Sequence, residues 1–244
     1  MKILLSGALG NMGREVMNSL KEEDEIICGF DKEEKNTKYP VYNDIEKIKE
    51  KVDVIIDFSN PKATLEILKY AKKTKTPIVI ATTGFTKEEN KIIEDYSKDL
   101  PIFKSANMSL DINLMADIIK KVAKVLTESD IEIVETHHNR KIDSPSGTAI
   151  MLADAIKEVL EDKTYNMDRM SKREKRSKNE IGFSSIRGGN IVGKHEVIFF
   201  GENESLKITH EAYSRKVFAS GALKAARYIE NKPNGLYNMK DLVD

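Results

Sequence analysis

The sequence predicts an α/β protein in which a parallel, doubly wound sheet carries an inserted α+β domain built on an open mixed sheet. Within residues 1–108, short apolar strands alternate with helical patterns, which is typical of a parallel sheet covered by helices. After a helical pattern over 110–126, strands follow one another without intervening helices. We expect the last helical pattern, 218–229, to return to the first domain, because an inserted domain requires two chain crossings. The predicted domains are 1–108 with 215–244, and 109–214.

Each element is predicted from an apolar run, from alternation, or from apolar residues at helical spacing. In the first domain we predict strands at Lys2–Ser6, Glu25–Phe30, Val52–Phe58, Pro77–Ala81 and Pro101–Lys104. We predict helices at Ala63–Ala71 and Glu88–Tyr96, and a helical pattern through Val16, Met17 and Leu20 after the first strand. In the second we predict strands at Asp130–Glu135, Ile181–Ile186, His195–Phe200 and Leu206–Glu211, with a helix at Ala149–Leu160. Ligands of a parallel sheet bind beyond the carboxyl ends of its strands, so that edge is the first place to search for a site.

Three glycines, Gly7, Gly10 and Gly13, come directly after the first strand and open the first helix. Glycines at these positions allow a tight turn, close approach of a pyrophosphate to the backbone, and close packing of the helix on the strand. The segment therefore predicts a Rossmann-like dinucleotide-binding domain, with Leu9 where the common fingerprint has its second glycine. The predicted cofactor contacts are Gly7, Leu9, Gly10, Asn11, Met12 and Gly13.

The end of the second strand bears on the choice of cofactor. Asp31 lies about twenty residues after the glycines, where a carboxylate accepts hydrogen bonds from the adenosine ribose. Lys32 follows directly and is able to pair with a 2'-phosphate, which Asp31 would repel. We therefore expect NADH or use of both NADH and NADPH. The alternative is that both residues belong to a solvated turn.

The remaining strand ends of the first domain carry small, hydroxylated and amide side chains that suit a nicotinamide ring. Ordinary turn chemistry also explains each segment singly. The residues predicted to contact the cofactor here are Phe58, Ala81, Thr82, Thr83, Gly84, Ser105, Ala106, Asn107 and Met108.

A block over 135–148 holds two of the four histidines of the chain together with a lysine and a helix start. We expect the cluster of His137, His138 and Lys141 to lie on the loop that leaves a half-buried strand. Downstream, Ser146 is a candidate helix cap and Gly147 allows a ligand to approach amides that bind anions. Imidazole transfers protons near neutral pH and lysine supplies positive charge, so the block indicates proton donation to a carboxylate-bearing small molecule. A solvated polar loop before a helix is the alternative.

Composition excludes several classes of function. The 40 basic and 40 acidic residues give a net charge of zero, so we expect no nucleic-acid and no membrane partner. The N-terminal apolar stretch is too short for a signal peptide, and with the single cysteine, Cys28, it indicates a cytoplasmic protein. We expect Cys28 to be a buried apolar residue. We expect no metal site, because two adjacent histidines point apart on an extended chain.

Three further segments of the second half are compatible with ligand binding. The basic run 172–178 is either a solvated loop or a lid over an anionic ligand. The glycine-rich connection 187–195 either lets the backbone approach a ligand or forms a hairpin with bulges. Arg215 lies where the strands give way to the last helix, a suitable place for a guanidinium that binds a carboxylate.

Taken together, these segments resemble the dihydrodipicolinate reductase family, also called 4-hydroxy-tetrahydrodipicolinate reductases. The resemblance extends over nearly the whole chain and is most specific in the block His137-His138-Asn139-Arg140-Lys141-Ile142-Asp143-Ser144-Pro145-Ser146-Gly147-Thr148. It also includes the segments 7–13, 57–59, 82–85 and 187–189. The chain differs from the family pattern at Leu9 and Asn11, which leaves the preference between NADH and NADPH open. It also differs at Asp111, which puts a carboxylate near the expected cofactor site.

The resemblance implies reduction of a cyclic dicarboxylate to tetrahydrodipicolinate by NADH or NADPH, in the diaminopimelate route to lysine. It implies His137 as proton donor and Lys141 as the catalytic, substrate-binding cation. It assigns the two substrate carboxylates to His138, Ser146, Gly147, Thr148 and Arg215. It further implies a cytoplasmic homotetramer formed through the sheets of the second domain. The alternatives are a dinucleotide-binding sensor without turnover, or a reductase of a different cyclic imine acid.

Overall fold

The computed structural model describes residues 1–243; Asp244, the last residue of the first predicted domain, lies outside the described residues. The strands are β1 (Lys2–Ser6), β2 (Glu25–Phe30), β3 (Lys35–Asn36), β4 (Pro40–Tyr42), β5 (Val54–Asp57), β6 (Ile78–Ile80), β7 (Pro101–Lys104), β8 (Asp130–His137), β9 (Thr164–Asn166), β10 (Glu180–Arg187), β11 (Gly193–Phe200), β12 (Ser205–Ala212) and β13 (Gly235–Tyr237). The helices are α1 (Asn11–Met17), α2 (Pro61–Thr74), α3 (Lys87–Ser97), α4 (Leu110–Val125), α5 (Gly147–Lys157), α6 (Lys216–Ile229) and α7 (Lys240–Val243), with a 3-10 turn at Ile45–Lys47.

The chain forms two compact units. The first comprises Met1–Leu110 together with the residues from Arg215 onward, and the second is Asp111–Ser214. Our sequence-based division lies between residues 108 and 109 and between residues 214 and 215. The first crossing of the units therefore comes two residues later in the structure, at the start of α4.

The first unit is built on a largely parallel sheet of strand order β13-β7-β6-β5-β1-β2-β4-β3. Its central strands are apolar and buried on both faces, as expected for a sheet covered by helices on both sides. Alternate residues of β1 illustrate this arrangement: Ile3 and Leu5 belong to a core with α6, whereas Leu4 belongs to a core with α2 and α3. The predicted doubly wound fold is confirmed, and Cys28 is fully buried in β2 as expected.

The second unit is an open mixed sheet of strand order β12-β11-β8-β10-β9. Strand β8 pairs in parallel with β10 and antiparallel with β11. One face of the sheet packs on α4 and α5 through a core that includes Ile131, Ile133, Ile119 and Leu152. The predicted mixed sheet is confirmed, but the hairpin alternative for 187–195 is wrong, because β8 lies between β10 and β11.

Several element boundaries differ from the predictions. Helix α1 ends at Met17 and does not reach Leu20, and α5 ends at Lys157 rather than Leu160. His137 is the last residue of β8 and is buried, so it does not lie on the loop that we expected. Strands β3, β4, β9 and β13 were missed because each has two or three residues, too few for an apolar period to be visible. No helix within residues 1–243 is both long enough and apolar enough to span a membrane.

Candidate active site

The glycine loop between β1 and α1 is a backbone cradle that side chains would fill. Gly7 has φ of +76°, and a Cβ there would overlap the carbonyl oxygen of Phe58. A Cβ on Gly13 would lie 2.5 Å from the carbonyl oxygen of Gly7, so this glycine allows close packing of helix on loop. Gly10 is the N-cap of α1 and supplies no side-chain cap. The first amides of α1 are therefore not capped by a side chain, which fits the binding of a pyrophosphate.

A cavity of about 520 Å³ lies beside this loop. It contains six of the predicted cofactor residues. Its lining comprises Gly7, Leu9, Gly10, Phe30, Asp31, Lys32, Asn43, Phe58, Ser59, Asn60, Lys62, Ala63 and Glu66. Three other predicted residues, Asn11, Met12 and Gly13, belong to α1 and do not line the cavity. The polar lining residues Asn43, Lys62 and Glu66 were missed by sequence analysis, because they come from β4–α2 segments that carry no recognised motif.

Asp31 shapes the glycine loop in addition to lining the cavity. Its carboxylate accepts hydrogen bonds from the amide of Leu9 at 2.8 Å and from the amide of Lys32 at 2.8 Å. The Lys32 ammonium lies 3.9 Å from Glu33, and both side chains are exposed. The negative charge of Asp31 and the positive charge of Lys32 thus lie next to each other in the lining of the cavity. Contact of Asp31 with a ribose, or of Lys32 with a phosphate, stays a prediction.

A second cavity, of about 320 Å³, lies at the carboxyl ends of β6 and β7. It contains five predicted cofactor residues. Its lining comprises Thr82, Thr83, Gly84, Phe85, Asn90, Lys104, Ser105, Ala106, Leu236, Tyr237 and Asn238. Lys104 was missed; its ammonium donates to Asn90 and lies 5.2 Å from the ring centre of Phe85. Burial lowers the pKa of Lys104. A cation at the end of an otherwise apolar strand was the available signal.

The remaining predicted residues at these strand ends do not line the second cavity. Ala81 packs against the core of the first unit. Met108 is buried, and its carbonyl oxygen occupies the space that a Cβ on Gly221 would need. Asn107 accepts a hydrogen bond from the amide of Ser109 at 2.8 Å. The structure thus places Met108 in packing against α6 and Asn107 in the turn that precedes α4.

A buried carboxylate ties the ends of β5 and β6 together. Asp57 is fully buried and accepts hydrogen bonds from the hydroxyls of Ser59 at 2.5 Å, Thr64 at 2.5 Å and Thr82 at 2.9 Å. Thr82 Oγ1 also accepts from the amide of Ser59 at 3.0 Å. Since every oxygen of a buried carboxylate requires donors, this network holds the turn that follows β5 in one conformation.

In the second unit, His137 is bound to a buried carboxylate. Its Nδ1 lies 2.5 Å from Glu135 Oε2. The guanidinium of Arg187 grips both oxygens of Glu135 at 2.7 and 2.8 Å, and the amide of Ser146 donates to Oε1 at 3.2 Å. Burial alone would raise the pKa of Glu135, but hydrogen bonds from His137, Arg187 and Ser185 hold it below its usual range. Glu135 is therefore an anion that contacts the proposed proton donor.

A second buried histidine, His195, packs against the first. The two imidazole rings meet edge to face with centres 5.1 Å apart. Burial and the neighbouring His137 lower the pKa of His195 to about 3, so its ring is neutral at neutral pH. His195 Nε2 lies 2.9 Å from Ser146 Oγ, which accepts from the amide of Ala149 at 3.1 Å. The predicted N-cap role of Ser146 is confirmed, and its hydroxyl is held by His195.

The loop after β8 carries the other predicted residues of this cluster. Lys141 is mostly buried, and its ammonium lies 2.8 Å from Asp143 Oδ2. Although partial burial acts in the opposite direction, this ion pair lowers the pKa of Asp143. The amide of His138 donates to the carbonyl of Ile191 at 2.8 Å, which fixes the start of the loop. Arg187 donates to the carbonyl of Asp143 at 2.8 Å, so the loop and Glu135 share one cation.

The start of α5 is open to a ligand. A Cβ on Gly147 would meet no heavy atom within 4 Å. Gly147 and Thr148 are the first two residues of the helix, directly after the Ser146 cap. Arg215, the remaining predicted carboxylate ligand, lies in the first unit as the N-cap of α6. The structure thus brings His137, Ser146, Gly147 and Thr148 together within the second unit.

Two other sequence features have defined positions. Asp111 is exposed in the first turn of α4, where its charge opposes the lowering of the pKa of His210 by burial. In the basic run 172–178, Arg176 bonds to Glu132 and to the carbonyls of Ile131 and Glu180, which anchors that loop to the sheet. Among residues 1–243, no group of three or more His, Cys, Asp or Glu side chains is arranged to hold a metal ion.

Comparison with known proteins shows which family the chain resembles over both units. Residues 1–108 match the family model for the N-terminus of dihydrodipicolinate reductase, and residues 111–243 match the model for its C-terminus. The 4-hydroxy-tetrahydrodipicolinate reductase of Caldanaerobacter subterraneus subsp. tengcongensis is 51% identical, with 99% of this chain and 98% of that protein covered. The enzyme of the same name from Clostridium novyi is 46% identical at the same coverage.

A solved structure supports the fold. Dipicolinate-bound dihydrodipicolinate reductase from Paenisporosarcina sp. TG-14 superposes with a TM-score of 0.80 and 24% identity, covering 98% of this chain and 97% of that one. At this identity the likeness concerns the fold alone. The family models together span both units. The chain therefore belongs to the dihydrodipicolinate reductase family.

Proposed function

We propose that the protein reduces 4-hydroxy-tetrahydrodipicolinate to tetrahydrodipicolinate, in the diaminopimelate route to lysine. The observation that carries this proposal is the pairing of His137 with the buried anion Glu135, next to the open start of α5, in a chain of this family. The arrangement provides an acid and an anion-binding helix end within one unit, which is what reduction of a cyclic dicarboxylate requires.

The chain uses a nicotinamide dinucleotide, NADH or NADPH. The glycine cradle at Gly7 and the side-chain-free cap at Gly10 suit a pyrophosphate, and Asp31 and Lys32 line the adjoining cavity where an adenosine would bind. Thr83, Gly84 and the other residues of the second cavity are the proposed neighbours of the nicotinamide. When bound, the reduced nicotinamide supplies a hydride to the conjugated imine of the substrate.

After hydride addition, the enamine carbon of the substrate needs a proton from a positioned acid. His137 is the proposed donor, because Glu135 binds its Nδ1 and leaves Nε2 for proton transfer. Lys141 is the proposed catalytic and substrate-binding cation. Its ammonium is paired with Asp143, whose side chain is 61% exposed, so an incoming carboxylate is able to replace that partner.

The substrate carboxylates are proposed to bind at the start of α5 and at neighbouring polar groups. The amides of Gly147 and Thr148 follow the Ser146 cap, and a helix N-terminus favours an anion. His138 and Arg215 complete the proposed set of ligands. Charge-assisted hydrogen bonds to two carboxylates also orient the ring, which limits the geometry in which it reacts.

A cytoplasmic homotetramer is part of the proposal. The face of the second sheet away from α4 and α5 exposes Ile186 on β10 and Phe200 on β11. The two lie toward opposite ends of β8, in register with Thr136 and Asp130, and an interface that spans this face of the sheet would cover both. Sedimentation of the purified protein tests the assembly.

The test of the activity is a coupled assay. A synthase generates the substrate in place from pyruvate and aspartate semialdehyde, and nicotinamide absorbance is followed with NADH and separately with NADPH. We expect oxidation that depends on both the synthase and this protein. A lack of oxidation, while a known reductase is active in the same cuvette, would favour a dinucleotide-binding sensor or a reductase of another cyclic imine acid.

A further inference from the structure

Glu135 is enclosed by donors and has no oxygen exposed to a ligand. The side chain is 1% exposed, and its two oxygens accept from His137, from both terminal nitrogens of Arg187 and from the amide of Ser146. A buried carboxylate that lacked such donors would be strongly destabilising. Glu135 therefore does not contact substrate, and any effect on the reaction must act through a neighbour.

The neighbour that matters is His137. Because Glu135 Oε2 is only 2.5 Å from Nδ1, this nitrogen carries a proton and donates it to the carboxylate in either charge state of the ring. The other nitrogen, Nε2, is then the one that gains and loses a proton. The hydrogen bond also fixes the orientation of the ring on β8.

The strand next to His137 leaves room at Nε2. A Cβ on Gly193, the first residue of β11, would lie 3.0 Å from that nitrogen, closer than an ordinary contact. A side chain at this position would therefore crowd the atom from which the proton leaves. Glycine at 193 keeps that space free of a side chain.

Arg187 connects this histidine with the loop that carries Lys141. Besides gripping Glu135, the guanidinium donates to the carbonyl of Asp143, the residue whose side chain pairs with Lys141. The Glu135–Arg187 ion pair thus contacts His137 directly and the loop that carries Lys141 through the carbonyl of Asp143. Apolar residues of similar volume are often as stabilising as a buried ion pair, so core stability alone does not account for this arrangement.

From these contacts we propose that Glu135, held by Arg187, is a positioning residue that fixes His137 with Nε2 toward the substrate. This inference rests on the proposed role of His137 as proton donor. Residues two apart on a strand point to the same face of the sheet, so β8 itself places Glu135 and His137 side by side.

Glu135→Gln tests the inference, because glutamine keeps the shape and removes the charge. We expect kcat to fall about 100-fold, with the dinucleotide KM unchanged. Glu135→Asp should recover part of the loss. A fall in kcat that follows the melting temperature and is not partly recovered by Glu135→Asp would reduce Glu135 to a purely structural role.

Asp24→Asn is the matched control. Asp24 is also a buried carboxylate paired with an arginine, Arg227, but it contacts no histidine and lies in the first unit. We expect a loss of stability with kcat within twofold of the wild type. A fall in kcat as large as that of Glu135→Gln would show that any buried carboxylate–arginine pair has this effect, and would overturn the inference.

Two further measurements separate the possible failures. If His137→Gln keeps turnover in the same assay, the proposed donor itself is wrong; if it loses turnover while Glu135→Gln does not, only the positioning role is wrong. Should Glu135→Gln not fold, wild-type protein with ¹⁵N-labelled histidine provides the test. At pH 9 the His137 signal, assigned with His137→Gln, should show a proton on Nδ1, and a ring protonated only on Nε2 would contradict the inference.

Discussion

The two helix starts that face the proposed ligands are built in opposite ways. Helix α1 begins after a glycine loop, and its cap, Gly10, provides no side chain. Helix α5 begins at Ser146, whose hydroxyl is bound to Ala149 and His195 and whose amide is bound to Glu135. The start of α1 therefore depends on the absence of side chains, whereas the start of α5 depends on a buried network of side chains. Substitutions of the same kind should have different consequences at the two places.

An alanine for a glycine at each start gives the largest expected contrast. Gly7→Ala forces a positive φ on a residue with a Cβ and sets that Cβ against the carbonyl of Phe58, so the free energy of unfolding should fall by about 3 kcal/mol or more. In Gly147→Ala the new Cβ meets no heavy atom within 4 Å, so the free energy of unfolding should change by less than about 0.5 kcal/mol. Urea unfolding measures both, and equal losses would contradict the contrast.

Acid should affect the α5 start through His195. Burial, His137, His210 and Lys141 lower its pKa and Glu135 opposes them, so the folded value, about 3, lies below the unfolded value of 6.5. The unfolded state therefore binds more protons between these values, and the stability present above pH 6.5 is lost as the pH falls through this window. From pH 7 to pH 5 the expected loss is about 2 kcal/mol.

His195→Gln isolates this effect, because glutamine is able to bond to Ser146 and does not titrate. The free energy of unfolding, measured with urea, should fall less for this variant than for the wild type between pH 7 and pH 5. The difference should be the loss of about 2 kcal/mol assigned to His195. If the two proteins lose the same stability between pH 7 and pH 5, another group is responsible for the acid sensitivity. The cap of α1, having no side chain, contributes no such dependence.

Giving α1 a charged cap should have the smallest effect, and on binding rather than folding. Gly10 has φ of −74° and ψ of 173°, which any residue adopts, and a Cβ there would lie 3.2 Å from the carbonyl oxygen of Gly7. In Gly10→Asp the carboxylate would accept from the first amides of α1 and repel a phosphate, so the Kd for NADH should rise about tenfold. Gly10→Ser, which is uncharged, should weaken binding less.

Fluorescence titration with NADH and NADPH measures this change. An unaltered Kd in Gly10→Asp would mean that the amides of α1 do not bind the pyrophosphate. The difference between the two helix starts would then concern stability alone and not the binding of a ligand.

Much of the fold was predictable because the parallel strands are continuous apolar runs. Strand β7 was predicted at its observed bounds, Pro101–Lys104, and β1 likewise at Lys2–Ser6. The short edge strand β3 was not predictable, since both of its residues are exposed and its pairing with β4 depends on tertiary structure. Local apolar spacing predicts what packs on a core and says little about strands that do not.

The site was predictable where chemistry is local in sequence. The Ser146 cap follows from the residues just before an apolar helix, and its hydrogen bond to Ala149 confirms it. The partner of His137 was missed, although Glu135 occupies a core-facing position in an alternating strand and such a position rarely holds a carboxylate. The partner of Ser146, His195, is 49 residues away, and only the sheet brings them together.

Gly182 on β10 has a consequence for how the sequence can change over time. A Cβ there would overlap the carboxylate of Glu132, the same carboxylate that anchors Arg176 and with it the basic loop. Because this carboxylate is the flexible end of a long side chain, a larger residue at 182 would displace it, and Arg176 would then lose its ion pair with Glu132. These three positions, distant in the chain, are therefore coupled, and a substitution at 182 alone should loosen the attachment of the basic loop to the sheet.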